Sequence, residues 1–233
     1  MKKIIIGIFA HPDDESFGPS GYLYNSVLEG SDVHLLLVTK GDAGTNCDDC
    51  EDLSQVRINE WKKSGELIGA RSMVLLDRND GTLNNNQYLE IAHDLQHQID
   101  TITASYSEKF ELELLTFEKS GISGHLDHIA VSFITSYLYK KLIDDPDRPF
   151  SLGKLKYFTV CDSNAPEANT NWLFMPKGAS HGDIDETIDI SNVYEKKLEI
   201  MRAHKSQRRD MNSILERVEN SVCQKREHFI YYK

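Results

Sequence analysis

Ile4-Ile5-Ile6-Gly7-Ile8-Phe9-Ala10-His11-Pro12-Asp13-Asp14-Glu15 decides how this chain is read. Ile4 to Phe9 is a continuous apolar run, the pattern of a strand buried on both faces. Pro12 has no N–H to give a ladder, so the strand ends before it. One imidazole and three carboxylates follow within five residues. Anionic neighbours repel unless a cation or solvent separates them. In an open α/β sheet, ligands bind in the crevice beyond the strands' carboxyl ends. A His-plus-carboxylate cluster at that place suits a metal such as zinc. The ordinary alternative is an acidic surface turn that happens to hold a histidine.

Outward from this stretch, apolar runs at Val33–Thr39, Ser72–Leu76, Glu111–Phe117 and Leu155–Cys161 predict further strands. Helical patterns separate them: Phe17–Leu28 with Gly30 as a stop, Leu53–Ile68, a stripe of Leu89, Ala92, Leu95, Ile99 and Ile102, and a helix to about Ile143. The last has apolar positions Ile129, Phe133, Leu138 and Leu142, and it follows His125-Leu126-Asp127-His128. Histidines three apart in a first helical turn share a face, and this pair also follows a strand, so it reaches the same crevice as His11. His34 reads as a satisfied core histidine, and His93 and His97 as members of a solvated face. Arg57 and Glu60 can meet at helical spacing, an ordinary surface ion pair in the plainest reading. Asp162–Asp183 is a long polar loop in which Trp172, Phe174 and His181 are candidates for a pocket rim. Ile184–Ile190 and Glu227–Tyr232 are candidate strands around a charged helical stretch, Asn192–Val218, with a break near His204-Lys205-Ser206-Gln207.

At 233 residues the chain fits one α/β domain with a C-terminal helical extension, spanning 1–233. No apolar run has the length of a membrane span, and the N-terminal apolar stretch is too short for a signal peptide, so a cytoplasmic protein is expected. A formal charge of −11 argues against non-specific binding of nucleic acid or anionic membranes. Of the four cysteines, Cys47 and Cys50 form a C-x-x-C without further ligands at motif spacing.

With these pieces placed, the sequence resembles the LmbE-like, or PIG-L, zinc de-N-acetylases. The resemblance rests on Ala10-His-Pro-Asp-Asp-Glu15 and His125-x-Asp-His128. Weaker matches are Gly41-Asp-Ala-Gly44, Arg57-x-x-Glu60, Asp80-Gly81 and Ala203-His-x-Ser-Gln207. It implies a Rossmann-like, mostly parallel sheet flanked by helices, removal of acetyl groups from N-acetylglucosamine moieties, and a homo-oligomer, trimer or hexamer. Carried over by motif position, His11, Asp14 and His128 are the zinc ligands, Asp13 the general base, His125 the oxyanion stabiliser and acid, and Arg57 a substrate contact. The chain departs from the pattern at Leu126, where proline is usual, at Ser123, where some thiol-biosynthesis members place a mobile tyrosine, and at Asp42, where glutamate is commoner.

The chemistry agrees with that assignment. Two imidazoles and one carboxylate leave the fourth zinc position for water, the arrangement of a catalytic site. Asp13 is then free to take the water's proton, and protonated His125 to donate to the oxyanion. Asp127 is either a group that orients a neighbouring histidine or a plain helix N-terminal carboxylate. The expected reaction is hydrolysis of the N-acetyl group of an amino sugar or its conjugate. The alternatives are a metal-dependent phosphoesterase, for which Arg57 and Lys40 are the nearest phosphate clamps, and a non-catalytic sugar-binding relative.

Overall fold

The computed structural model describes residues 1–165, 177–219 and 224–233. The strands are β1 (Lys2–Phe9), β2 (Asp32–Thr39), β3 (Ser72–Arg78), β4 (Phe110–Phe117), β5 (Ser151–Thr159), β6 (Glu186–Asp189) and β7 (Arg226–Tyr231). The helices are α1 (Asp14–Phe17), α2 (Ser20–Leu28), α3 (Leu53–Ile68), α4 (Tyr88–Ala104), α5 (Gly121–Gly124), α6 (Leu126–Asp144), α7 (Tyr194–Met201) and α8 (Arg208–Glu219).

All seven strands form one sheet in the order β3-β2-β1-β4-β5-β7-β6. β1 to β5 run parallel, and β7 lies antiparallel between β5 and β6. The expected fold class therefore holds, and the C-terminal part does more than add helices, because β7 returns into the sheet. Parallel strands covered on both faces must be apolar on both. Ile4, Ile5, Ile6 and Ile8 are accordingly inaccessible to solvent. Right-handed crossovers put α2 and α3 on one face and α4 and α6 on the other, and α7 packs on α2 and α3.

Several boundaries were legible. α3 spans the predicted residues; Asp52 caps its start by accepting from the Gln55 N–H at 3.0 Å, and Gly69 closes it at φ 83°. The predicted first helix is split by Gly18-Pro19. Amphipathic spacing misplaced some faces: Leu89 and Phe133 were expected inside but are exposed. His34 is a satisfied core histidine, as expected, bonded to Ser72 and Tyr106, and His93 and His97 are exposed. His181 is exposed as well, whereas Trp172 and Phe174 lie outside the described residues.

What this order places is a crevice. Successive strands step one way from β1 through β2 to β3 and the other way from β4 to β5, so the connections diverge between β1 and β4. That is the topological switch point. His11 leaves the end of β1 there, and His125 and His128 follow the end of β4.

Candidate metal centre and active site

The two motifs meet at the switch point. His11 Nδ1 lies 3.0 Å from His128 Nε2 and 3.6 Å from Asp14 Oδ2, and His128 Nε2 lies 3.2 Å from Asp14 Oδ1. Zinc bonds of about 2.0–2.1 Å put the edges of a coordination tetrahedron at about 3.3 Å. The three proposed ligands are thus spaced as one ion requires.

Hydrogen bonds behind the rings decide which nitrogens face inward. His128 Nδ1 donates to the Gly121 carbonyl at 3.0 Å, which leaves a lone pair on Nε2. His11 Nε2 meets Asp80 Oδ1 at 2.9 Å and Asp127 Oδ2 at 3.4 Å. Both are acceptors, so Nε2 carries the proton and Nδ1 turns its lone pair inward. Asp14 Oδ2 accepts the backbone N–H groups of His11 and Ala10 at 2.6 and 3.1 Å. Two ring lone pairs and a carboxylate this close are stable only with positive charge among them. The charges around the donors pull the same way. Burial opposes a charged His11, but bonds to Asp127 and Asp80 and the field of Asp14 raise its pKa to about 10. Burial also opposes a charged Asp14, yet His128 and His11 hold its carboxyl well below the usual range. His125 also brings a ring nitrogen within 4.8 Å of donors on His11 and His128, and His11, Asp80 and Asp127 form a second such group.

Asp13 stands beside these donors with its backbone at φ 125°, a conformation that costs a non-glycine residue energy and is concentrated at functional sites. Its surroundings hold it there. Arg57 donates to Asp13 Oδ2 at 2.9 Å and to the Pro12 and Gly41 carbonyls at 2.8 Å each. Glu15 accepts the Asp13 N–H at 3.4 Å. Burial pushes the Asp13 carboxyl up to about 6 against the lowering field of Arg57. Arg57 itself is 3% exposed. It and Glu60, expected to meet, turn to different partners: Glu60 accepts the Ser206 N–H and hydroxyl at 2.8 and 2.6 Å.

His125 caps α6, its Nδ1 accepting the Asp127 N–H at 3.2 Å. Its proton therefore resides on Nε2. Burial, with the neighbouring His11 and His128, lowers its pKa to about 4. With Nδ1 taken up by the Asp127 N–H, Nε2 is the atom His125 can offer as a donor. Asp127 sits in the first turn of α6 and also reaches His11, so both of its expected roles are present. It further accepts the Gly81 and Leu83 N–H groups at 2.7 and 3.3 Å, tying the loop after β3 to the site.

Three residues given no role from sequence belong to this apparatus. Asp80 backs His11. Glu15, wholly buried, accepts from Ser16 at 2.7 Å, from Ser64, and from His204 Nε2 at 3.2 Å. His204, also wholly buried, brings the C-terminal segment against the first motif. Asp80-Gly81 and Ala203-His-x-Ser-Gln207 were visible as motif fragments, but nothing in a linear pattern said what they touch.

Comparison with known proteins bears on the family and the fold. The family model PIG-L, GlcNAc-PI de-N-acetylase, matches residues 6–139. A 1D-myo-inositol 2-acetamido-2-deoxy-α-D-glucopyranoside deacetylase of Rhodococcus jostii is 26% identical over 240 residues, covering 88% of this chain and 82% of its own. The N,N′-diacetylchitobiose deacetylase of Pyrococcus horikoshii superposes with a TM-score of 0.71 at 18% identity, covering 99% of this chain and 84% of its own. The 4-carboxy-2-hydroxymuconate hydratase GalB of Pseudomonas putida superposes with a TM-score of 0.66 at 13% identity, covering 99% of this chain and 96% of its own. At such identities the structural likenesses show the architecture alone; one of the two proteins is not a deacetylase, so the fold does not decide the reaction.

Proposed function

From the premise that the chain belongs to the PIG-L family of GlcNAc-PI de-N-acetylases, we propose that it hydrolyses the N-acetyl group of an N-acetylglucosamine-type sugar or its conjugate. The observation that carries the reading is the convergence of His11 Nδ1, Asp14 and His128 Nε2 beside a strained carboxylate and an imidazole N–H. Zinc held by these three residues would supply a water of pKa about 7 and a Lewis acid for the amide oxygen.

The chain's own groups do the rest. Asp13, held by Arg57 and Glu15, takes the proton from the attacking water. Attack forms the bond to the acetyl carbon and places negative charge on its oxygen, to which neutral His125 donates its Nε2 proton in a hydrogen bond. The carbon–nitrogen bond then breaks, Asp13 returns the proton to the nitrogen, and acetate and the free amine leave. A carboxyl raised toward 6 suits both transfers. Arg57 is buried and gives three of its five N–H groups to Asp13 and the two carbonyls, which favours a brace for Asp13 over a substrate contact. The same engagement counts against the phosphoesterase alternative, since it occupies the cation nearest the site. Cytoplasmic operation as a homo-oligomer, trimer or hexamer, completes the proposal; among the described residues no helix is long and apolar enough to cross a membrane.

The test is acetate release from a panel of N-acetylglucosaminides with and without chelator, beside metal analysis. Asp13→Asn is expected to keep zinc and lose about 10²–10⁴ in kcat. His128→Ala is expected to lose the metal. A full-speed Asp13→Asn enzyme would exclude the base assignment.

A further inference from the structure

His128 has its orientation set from behind, by the backbone of a turn between β4 and α6. Its Nδ1 donates to the Gly121 carbonyl at 3.0 Å, and its ring stacks on Phe117 at 4.1 Å with the planes 4° apart. Phe117 holds the plane of the ring, and the carbonyl selects the tautomer that aims Nε2 inward.

That carbonyl belongs to a turn which does not form unaided. Gly121 has φ 72°, and a Cβ there would stand 3.0 Å from the Cβ of His128. Ile122 follows at φ 64° and ψ −55°. A β-branched residue at positive φ is a true outlier, and such a conformation persists only where the surroundings over-determine it.

Glu118 does that. Its Oε2 accepts the Ser120 N–H at 2.8 Å, and its Oε1 accepts the Ile122 N–H at 2.8 Å and the Ser120 hydroxyl. Its own carbonyl accepts the Gly121 N–H at 2.8 Å, and its N–H is anchored on β5 through the Phe158 carbonyl at 2.9 Å. The donors on either side of Gly121 thus converge on one carboxylate fixed at the end of β4.

We propose that Glu118 is a positioning residue for His128: its carboxylate clamps the strained Gly121–Ile122 turn, and the turn's carbonyl holds the ring with Nε2 free for the metal. This rests on the reading of His128 as a ligand. Glu118 does not meet the ion; it sets what the ion meets.

Two readouts test it, neither of them turnover. The first is the His128 Nδ1–H signal in ¹H–¹⁵N spectra of chelator-treated and zinc-loaded protein. The second is the zinc Kd by competition with a chromophoric chelator. Glu118→Ala is expected to lose or broaden the Nδ1–H signal and to weaken zinc by about tenfold or more, the usual range for removing support behind a ligand. Glu118→Gln, nearly isosteric and with one acceptor oxygen in place of two, is expected to show a smaller loss in the same direction; it serves if the alanine variant does not fold. A folded Glu118→Ala protein with the wild-type Nδ1–H signal and a zinc Kd within about twofold of wild type overturns the proposal. Wild-type protein that binds no zinc would instead remove the metal reading, and the Nδ1–H signal would still report whether Glu118 holds the turn.

Discussion

Glu15 and His204 offer the sharpest test of how the first motif is held. Both are wholly buried. Glu15 accepts from His204 Nε2 at 3.2 Å, from Ser16 at 2.7 Å, from Ser64, and from the Asp13 N–H at 3.4 Å. His204 Nε2 also meets the Ser16 hydroxyl at 3.0 Å, while its Nδ1 has no partner among the described residues. Removing one member of a buried charged pair costs about 3–5 kcal/mol. Here two hydroxyls remain for Glu15, and His204 can shed its proton, so each single variant, Glu15→Gln or His204→Gln, is expected at the low end, about 3 kcal/mol. The double variant can form an amide–amide bond in the same space, so it is expected to cost less than the sum, with a coupling of about 1.5–2 kcal/mol. The assay is urea unfolding of chelator-treated protein at constant pH, so that metal binding adds nothing to the difference. The sign of its pH dependence follows from His204. Burial opposes its charge, but Glu15 raises its pKa above the ordinary 6.5. The pair's contribution is therefore present in full below pH 6.5 and lost as pH rises through the folded value. Single variants costing less than about 1 kcal/mol, or a double variant equal to their sum, would refute a coupled buried pair.

Two further outcomes follow from the geometry. Arg57→Ala removes a charged hydrogen bond worth about 1.5–3 kcal/mol, so kcat is expected to fall about 10- to 100-fold with KM little changed, and the acid limb of kcat/KM to move to higher pH as Asp13 loses the field that lowers it. A raised KM at unchanged kcat would make Arg57 a substrate contact and no brace. At the far end of β2, burial depresses the His34 pKa to about 4 from 6.5. The stability this gives is present above pH 6.5 and is lost as pH falls toward 4, by about 3 kcal/mol at about 1.4 kcal/mol per pH unit. Urea unfolding across that window should therefore be steeper in pH for wild type than for His34→Gln, and equal slopes would discard the assignment.

The order and kind of the main elements were legible because their causes are local. A run such as Ile4–Phe9 has one physical use, a strand covered on both faces, and Pro12 ends it wherever the rest of the chain lies. Asp52 and Gly69 bracket α3 by bonds and dihedrals made within a few residues of themselves. The two histidine-bearing motifs were legible as motifs, one leaving β1 and the other opening α6, and the proposal of His11, Asp14 and His128 as ligands came from their resemblance to a family pattern. Non-local facts were out of reach. Whether Phe133 faces inward depends on what packs over α6, which helical spacing does not encode. Strand β7 enters the sheet beside β5 from the far end of the chain.

The sequence by itself determined that imidazoles and carboxylates would gather at the carboxyl end of a parallel sheet, because alternation of buried strand and polar turn is written residue by residue. Only the tertiary structure decided what surrounds each of them: that Arg57 grips Asp13, that Asp80 backs His11, that Glu15 pairs with His204, and that Glu118 holds the turn behind His128. These are contacts between side chains and backbones set by strand order and helix packing. Orientation, tautomer and charge depend on what stands within about 3 Å of an atom, and the fold alone brings those partners together.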